Sequence, residues 1–121
     1  MADELILSTA HMRTIHSIDE TTGFSPFTTI PPNRHAGAMV CDAGCILQDL
    51  MTAATRYKLC VPLDLGAKGS CAIGGNVSTN AGGLRVLRYG SMHSNVLGEG
   101  GSSYNHLIRL VNDRYLPLLC W

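Results

Sequence analysis

Residues 62–98 constrain the fold more than any other part of the sequence, because they hold most of the 13 glycines together with apolar residues. Flexible linkers of glycine and serine lack such apolar residues, whereas this segment carries Ile73, Val77 and Leu84. Glycine allows the main chain to adopt positive φ and to approach a ligand closely. We therefore interpret residues 62–98, the glycine-rich run, as backbone folded tightly around a polar partner.

The charges in this run favour an anionic partner. The pairs Gly74-Gly75 and Gly82-Gly83 enclose two Asn, a Ser and a Thr, and no carboxylate lies between Asp64 and Glu99. Consecutive turns of this kind can direct several N–H groups at phosphate oxygens. The spacing alone leaves a second interpretation open, namely tight turns in an ordinary β-containing domain. Neither a G-x-G-x-x-G pattern nor a complete P-loop pattern is present.

Four pieces of the run resemble the flavin-binding motif of the vanillyl-alcohol oxidase (p-cresol methylhydroxylase-type) FAD flavoproteins, in particular their D-2-hydroxyglutarate dehydrogenase branch. The pieces are 62–71 (PLDLGAKGSC), 73–77 (IGGNV), 79–85 (TNAGGLR) and 87–91 (LRYGS). Ala72 departs from the pattern, since this branch usually has histidine there. The resemblance implies an α+β fold, a partial p-cresol methylhydroxylase-type FAD-binding domain with short strands, one amphipathic helix and glycine-rich cofactor loops.

The resemblance also implies which residues contact FAD. A buried diphosphate needs several hydrogen-bond donors to offset its desolvation. The positions that match the family's cofactor contacts are Pro62, Ser70, Gly74, Gly75, Asn76, Thr79, Asn80, Gly82, Gly83, Leu84, Tyr89 and Gly90. No catalytic residue and no metal ligand is assigned, and a structural role is preferred for His93.

The flanking segments complete the predicted domain. Short strands are expected at 4–8, 14–18 and 38–43, and apolar residues at helical spacing predict an amphipathic helix at 46–57. We assign residues 1–98 to the partial FAD-binding domain. Within it the proline-containing segment 22–37 is read as a loop insertion. Residues 99–121 form an unmatched tail, in which 107–111 could form a helical turn or two.

Composition limits the other function classes. The 121 residues carry nine acidic and nine basic side chains, so no basic stripe points to nucleic acid or a membrane surface. The five cysteines are an odd number, which favours reduced, structural thiols. The resemblance implies a mitochondrial oxidoreductase. The N-terminal residues form neither a secretory signal nor an Arg-rich transit peptide, which leaves a cytoplasmic location open.

Two functional hypotheses follow. In the first, the chain is the FAD-binding portion of a D-2-hydroxyglutarate dehydrogenase-like flavoprotein, which oxidises a D-2-hydroxy acid to a 2-oxo acid. The small 2-hydroxy acid would then bind only in full-length relatives, and this chain alone would be inactive. In the second, the chain is a non-catalytic remnant that no longer holds FAD. The unmatched insert and tail favour a truncated or alternatively spliced product.

Overall fold

The structure, a computed structural model, describes residue 6 and residues 8–19, 36–99 and 105–111, with the backbone alone at 36, 97–99 and 105–111. The strands in these ranges are β1 (Ile15–Asp19), β2 (Ala36–Asp42), β3 (Val96–Glu99) and β4 (Asn105–Val111). The helices are α1 (Leu47–Arg56), α2 (Ile73–Ser78), α3 (Val86–Tyr89) and α4 (Met92–Asn95). This combination of one antiparallel sheet with helices confirms the predicted α+β class.

The sheet has the order β1-β2-β4-β3, and each neighbouring pair is antiparallel. In the inner strand β2, Met39 and Cys41 are fully buried, while Ala38 and Val40 are partly exposed. This alternation follows from the two-residue period of a strand. The strands predicted at 14–18 and 38–43 are thus confirmed as β1 and β2, each shifted by one or two residues.

Two other predicted segments lie largely outside the described residues. Of the strand predicted at 4–8, only residues 6 and 8 are described, and neither is in a strand. Of the loop insertion predicted at 22–37, residues 22–35 are not described, whereas Ala36 and Gly37 already belong to β2.

Strand β4 corrects one expectation about the tail. A helical turn at 107–111 is wrong, because Asn105–Val111 is a strand that pairs with β2 on one side and β3 on the other. Seven residues make only about two helical turns, and so short a helix is marginal without tertiary packing. Pairing with a strand on each edge instead gives the N–H and C=O groups of the segment hydrogen-bond partners. Isoleucine and valine also favour strands.

Helix α1 confirms the amphipathic helix predicted at 46–57 and packs its apolar stripe into the core. Leu47, Leu50 and Ala54 are buried along one face. No side chain caps the N-terminus. Instead, the N–H groups of Leu47 and Gln48 donate to the carbonyl oxygens of Cys71 (3.1 Å) and Lys68 (2.9 Å). Backbone donors that would otherwise lack partners therefore anchor the glycine-rich run against α1.

The glycine-rich run contains more helix than the sequence predicts. Helix α2 includes the Gly74-Gly75 pair, and α3 and α4 follow it. Ile73 and Val77 lie four residues apart in α2 and are both buried, so tertiary packing of one helix face overcomes the low helix propensity of the two glycines. No helix in the described ranges is long and apolar enough to cross a bilayer.

Candidate cofactor-binding site

The glycine-rich run closes on itself as a loop between Asp64 and Gly83. The Asp64 N–H donates to the Gly82 carbonyl (3.3 Å), and the Leu84 N–H donates to the Asp64 carbonyl (3.2 Å), which makes a short parallel bridge. Before this bridge, Pro62 and Leu63 are fully buried and fix the start of the loop in the core. We call residues 64–83 the glycine loop.

One group of glycines in the loop is explained by internal packing. A Cβ atom on Gly74 would lie 2.8 Å from the Ala43 Cβ, and one on Gly82 would lie 2.1 Å from Val86 Cγ2. Gly83 has φ +64°, and its Cβ would meet the Asp64 carbonyl oxygen. The Gly74 N–H is also occupied, since it donates to the Ala43 carbonyl at 2.8 Å. Gly74 and Gly83 thus lie against main-chain atoms whether or not a ligand binds, whereas the atom nearest to Gly82 belongs to the side chain of Val86.

A second group of glycines faces open space. A Cβ atom on Gly66, Gly69 or Gly75 would have no heavy atom within 4 Å. Among the described residues, no hydrogen-bond partner accepts from the N–H groups of these three glycines. Open space beside an unpaired amide is what a closely approaching polar ligand needs. Gly66 and Gly69 are absent from the predicted contact residues, although both lie within the matched piece 62–71.

The polar side chains of the predicted site mostly stabilise the loop itself. The Ser70 hydroxyl donates to the Ala67 carbonyl (3.3 Å), and the Thr79 hydroxyl donates to the Gly75 carbonyl (2.9 Å). Asn76 is 5% exposed, and its amide donates to the Cys71 sulfur at 3.5 Å. Asn80 adopts φ +55°, and its side-chain oxygen accepts the His93 N–H at 3.0 Å. Each of these side chains therefore makes a hydrogen bond to a neighbouring residue, while the main-chain N–H groups of Gly66, Gly69 and Gly75 have no acceptor among the described residues.

The remaining predicted residues lie at different depths. Pro62 is fully buried, Leu84 is 87% exposed, and Tyr89 is partly exposed, with the Arg88 guanidinium 5.3 Å from its ring centre. Gly90 is exposed and adopts φ +82°, a conformation that favours glycine. These four residues therefore range from the core to the surface.

The electrostatics of the loop suit an anion. Its single carboxylate, Asp64, forms an ion pair with Lys68 at 3.4 Å, and both side chains remain partly exposed. No other acidic residue lies within residues 64–83. An anion near Gly66, Gly69 and Gly75 would thus meet no uncompensated negative side chain of the loop.

The histidines near these elements are held in structural contacts. The His16 ring donates to the Asp42 carboxylate at 2.7 Å, and the His93 ring donates to the Val77 carbonyl at 2.7 Å. The hydrogen bond from His16, helped by one from the Thr14 N–H, holds the pKa of Asp42 below its usual value. In the described part of the chain no three His, Cys, Asp or Glu side chains are grouped as a metal site.

The free space beside Gly66, Gly69 and Gly75, together with the lack of net negative charge, makes the glycine loop compatible with a bound nucleotide diphosphate. A family model described as "FAD binding domain" matches residues 1–99. The chain therefore belongs to the FAD-binding domain family, and FAD is the cofactor of this domain.

The curated relatives give a finer comparison. The chain is 51% identical over 96 residues to the mitochondrial D-2-hydroxyglutarate dehydrogenase of Arabidopsis thaliana, covering 79% of this chain and 15% of the relative. It is 50% identical over 96 residues to the enzyme of that name in Bos taurus, with the same coverage. A Saccharomyces cerevisiae D-2-hydroxyglutarate–pyruvate transhydrogenase is 38% identical over 96 residues, covering 79% of this chain and 16% of the relative. The chain thus spans about a sixth of the length of these relatives.

Proposed function

We propose that this chain forms the FAD-binding part of a flavin-dependent dehydrogenase that oxidises a D-2-hydroxy acid to the 2-oxo acid. Membership of the FAD-binding domain family supports the cofactor. The names of the similar proteins support the substrate class, because they share a D-2-hydroxy acid. The chemistry that bound FAD supplies is the two-electron oxidation of the alcohol carbon.

The observation that carries the proposal is the open backbone at Gly66, Gly69 and Gly75. We place the anionic diphosphate of FAD against this part of the glycine loop, where N–H groups without partners among the described residues can donate to phosphate oxygens. Ser70 lies between Gly69 and α2 and is exposed, so it belongs to the same proposed contact region.

The other positions matched by the resemblance support this region in our proposal. Gly74, Gly82 and Gly83 allow the loop to close, while Asn76, Thr79 and Asn80 make hydrogen bonds that fix its shape. Pro62 anchors the loop in the core, and Leu84, Tyr89 and Gly90 would border the cofactor beyond the closure.

The proposal assigns no general acid or base to the described part of the chain. The His16 and His93 ring nitrogens with described partners are hydrogen-bonded to Asp42 and Val77, so neither is placed as a base. We propose that the substrate and the catalytic groups bind elsewhere in a longer protein. We also propose a mitochondrial location, because the similar proteins of plants and mammals are named as mitochondrial.

A cofactor titration of the full chain tests the proposal. We expect one FAD per folded chain, measured by flavin absorbance after gel filtration and by quenching of flavin fluorescence. The Gly75→Ala variant should bind FAD at least tenfold more weakly, because its methyl group would occupy the space beside the amide. Its free energy of unfolding should not fall, since alanine is about 0.5–1 kcal/mol better than glycine in a helix.

A matched control is Thr52→Ala, which places alanine on the exposed side of α1. This variant should retain the FAD affinity of the parent chain. A folded chain that binds no FAD would instead support the remnant hypothesis. Equal FAD affinity of the parent and the Gly75→Ala variant would contradict the placement of the diphosphate at Gly75.

A further inference from the structure

A cavity of about 380 Å³ lies outside the glycine loop, between the C-terminal half of α1, residues 58–61 and Arg85. None of the residues that line it belongs to residues 64–83. Its volume falls within the range of small-molecule sites. Met51, Leu59 and Val61 give it an apolar wall, and the remaining lining residues are polar.

Arg85 places a fixed positive charge in this cavity. One of its terminal nitrogens, Nη1, donates to the Val61 carbonyl at 2.7 Å and also contacts the Cys60 sulfur. A guanidinium has five N–H donors, so these two contacts leave Nε and Nη2 without a hydrogen-bond partner among the described residues. A guanidinium fixed in this way can receive an oxyanion through two parallel hydrogen bonds.

Lys58 places a second positive charge at the same cavity. It follows the end of α1 with φ +58°, where its N–H donates to the Thr55 carbonyl (3.0 Å). The next residue, Leu59, donates to the Ala54 carbonyl (3.1 Å), which completes a Schellman motif. Glycine is the usual residue at this left-handed position, because a Cβ atom is sterically unfavourable there. Lys58 therefore adopts a backbone conformation that is unfavourable for a residue with a Cβ atom.

The two cations have no acidic counterpart in the described structure. No Asp or Glu lines the cavity, and no described carboxylate forms an ion pair with Lys58 or Arg85. We propose that this cavity binds a small organic anion, with its carboxylate or phosphate group on Arg85 and Lys58 and its apolar body against Met51, Leu59 and Val61. This site is separate from the proposed FAD contacts and does not depend on them.

Calorimetric titration of the full chain with phenyl phosphate and with benzoate tests the proposal, and the two probes distinguish phosphate from carboxylate ligands. We expect saturable binding of at least one of them and no binding of benzyl alcohol, which has the same apolar body without the charge. Lys58→Gln should weaken binding about threefold, as expected for an exposed ion pair. Arg85→Gln should weaken it roughly tenfold or more, because charge-assisted hydrogen bonds are lost.

The matched control is Arg56→Gln, which removes the same charge from the end of α1 at an exposed residue outside the cavity. Its affinity for the probe should stay within twofold of the parent chain. Arg85 also donates a hydrogen bond to the Val61 carbonyl, so the loss of this bond in Arg85→Gln could disturb folding. Circular dichroism identifies that case, and Lys58→Gln then decides the question alone.

A second readout locates the bound probe. Cys60 lines the cavity, so a saturating probe should slow its alkylation by iodoacetamide, measured by peptide mass spectrometry, and leave that of Cys71 unchanged. Equal affinities in Lys58→Gln and Arg56→Gln, or equal binding of benzyl alcohol, would overturn the proposal. Competition between FAD and the probe would also overturn it, because the cavity would then belong to the cofactor site. A chain that binds no FAD but passes these tests retains the anion site.

Discussion

Gly83 lies so close to Asp64 that a Cβ atom on the glycine would be 1.8 Å from the carbonyl oxygen of the aspartate. The contact occurs where the two ends of the glycine loop meet in a parallel bridge. Gly83 also has φ +64°, a backbone conformation that is unfavourable for residues with a Cβ atom. Closure of the loop therefore depends on glycine at position 83 for two independent reasons.

We predict that Gly83→Ala destabilises the chain by at least about 2 kcal/mol, because backbone strain and a steric clash with the main chain add together. Urea unfolding followed by circular dichroism measures this change. The matched control is Gly66→Ala in the same loop, where the new methyl group meets no atom within 4 Å. Similar losses of stability in the two variants would contradict the assigned role of Gly83.

Lys58→Gly should change stability in the opposite direction. Lys58 occupies the left-handed position of the Schellman motif after α1, so we expect glycine there to raise the free energy of unfolding by about 1 kcal/mol. Lys58→Ala separates the effect of the lost charge from the effect of the backbone conformation, because it removes the same charge and keeps the unfavourable φ. It should give no such gain in the urea midpoint. A loss of stability in Lys58→Gly would mean that the lysine side chain stabilises the fold.

The elements with a regular pattern could be predicted from the sequence. Helix α1 is recognisable because residues such as Leu47, Leu50 and Ala54 recur at helical spacing, and the structure buries them along one face. Strand β2 is recognisable as a short apolar segment. In both cases the local pattern and the tertiary packing favour the same structure.

The remaining features depend on contacts between distant residues. Strand β4 forms because two neighbouring strands pair with it, and residues 107–111 carry no local signal of those partners. Similarly, Gly69 and Gly74 look alike in the sequence, yet Gly69 faces open space whereas Gly74 packs against Ala43. The resemblance identified the cofactor-binding segment, but only the fold separates the glycines that allow packing from those that leave room for a ligand.

We predict that Cys41 resists alkylation in the folded chain. Burial, reinforced by the neighbouring Cys45, raises its pKa from 9.0 to about 12, so about one thiol in ten thousand is ionised at pH 8, and the thiolate is the reactive form. Iodoacetamide should modify the partly exposed Cys71 first, as measured by peptide mass spectrometry. In denaturant the two cysteines should react alike. Rapid modification of Cys41 in the folded chain would show that β2 is not packed as described.

The ion pair between His16 and Asp42 gives a prediction for acid pH. The hydrogen bonds from His16 and the Thr14 N–H lower the pKa of Asp42 in the folded chain below 3.8, whereas the unfolded chain keeps the ordinary value. The stabilisation is therefore fully present above about pH 4 and is lost as the pH falls through the lowered pKa of the folded state. Asp42→Asn removes this titration.

Urea unfolding of the parent chain and of Asp42→Asn should therefore be compared at pH 6 and again below pH 3, on the order of one unit under the unfolded pKa. The parent should be the more stable of the two at pH 6, and the difference should shrink at the lower pH. Because the other carboxylates titrate in both proteins, the change in this difference isolates Asp42. A difference that stays constant between the two pH values would mean that the His16–Asp42 contact does not favour the ionised carboxylate.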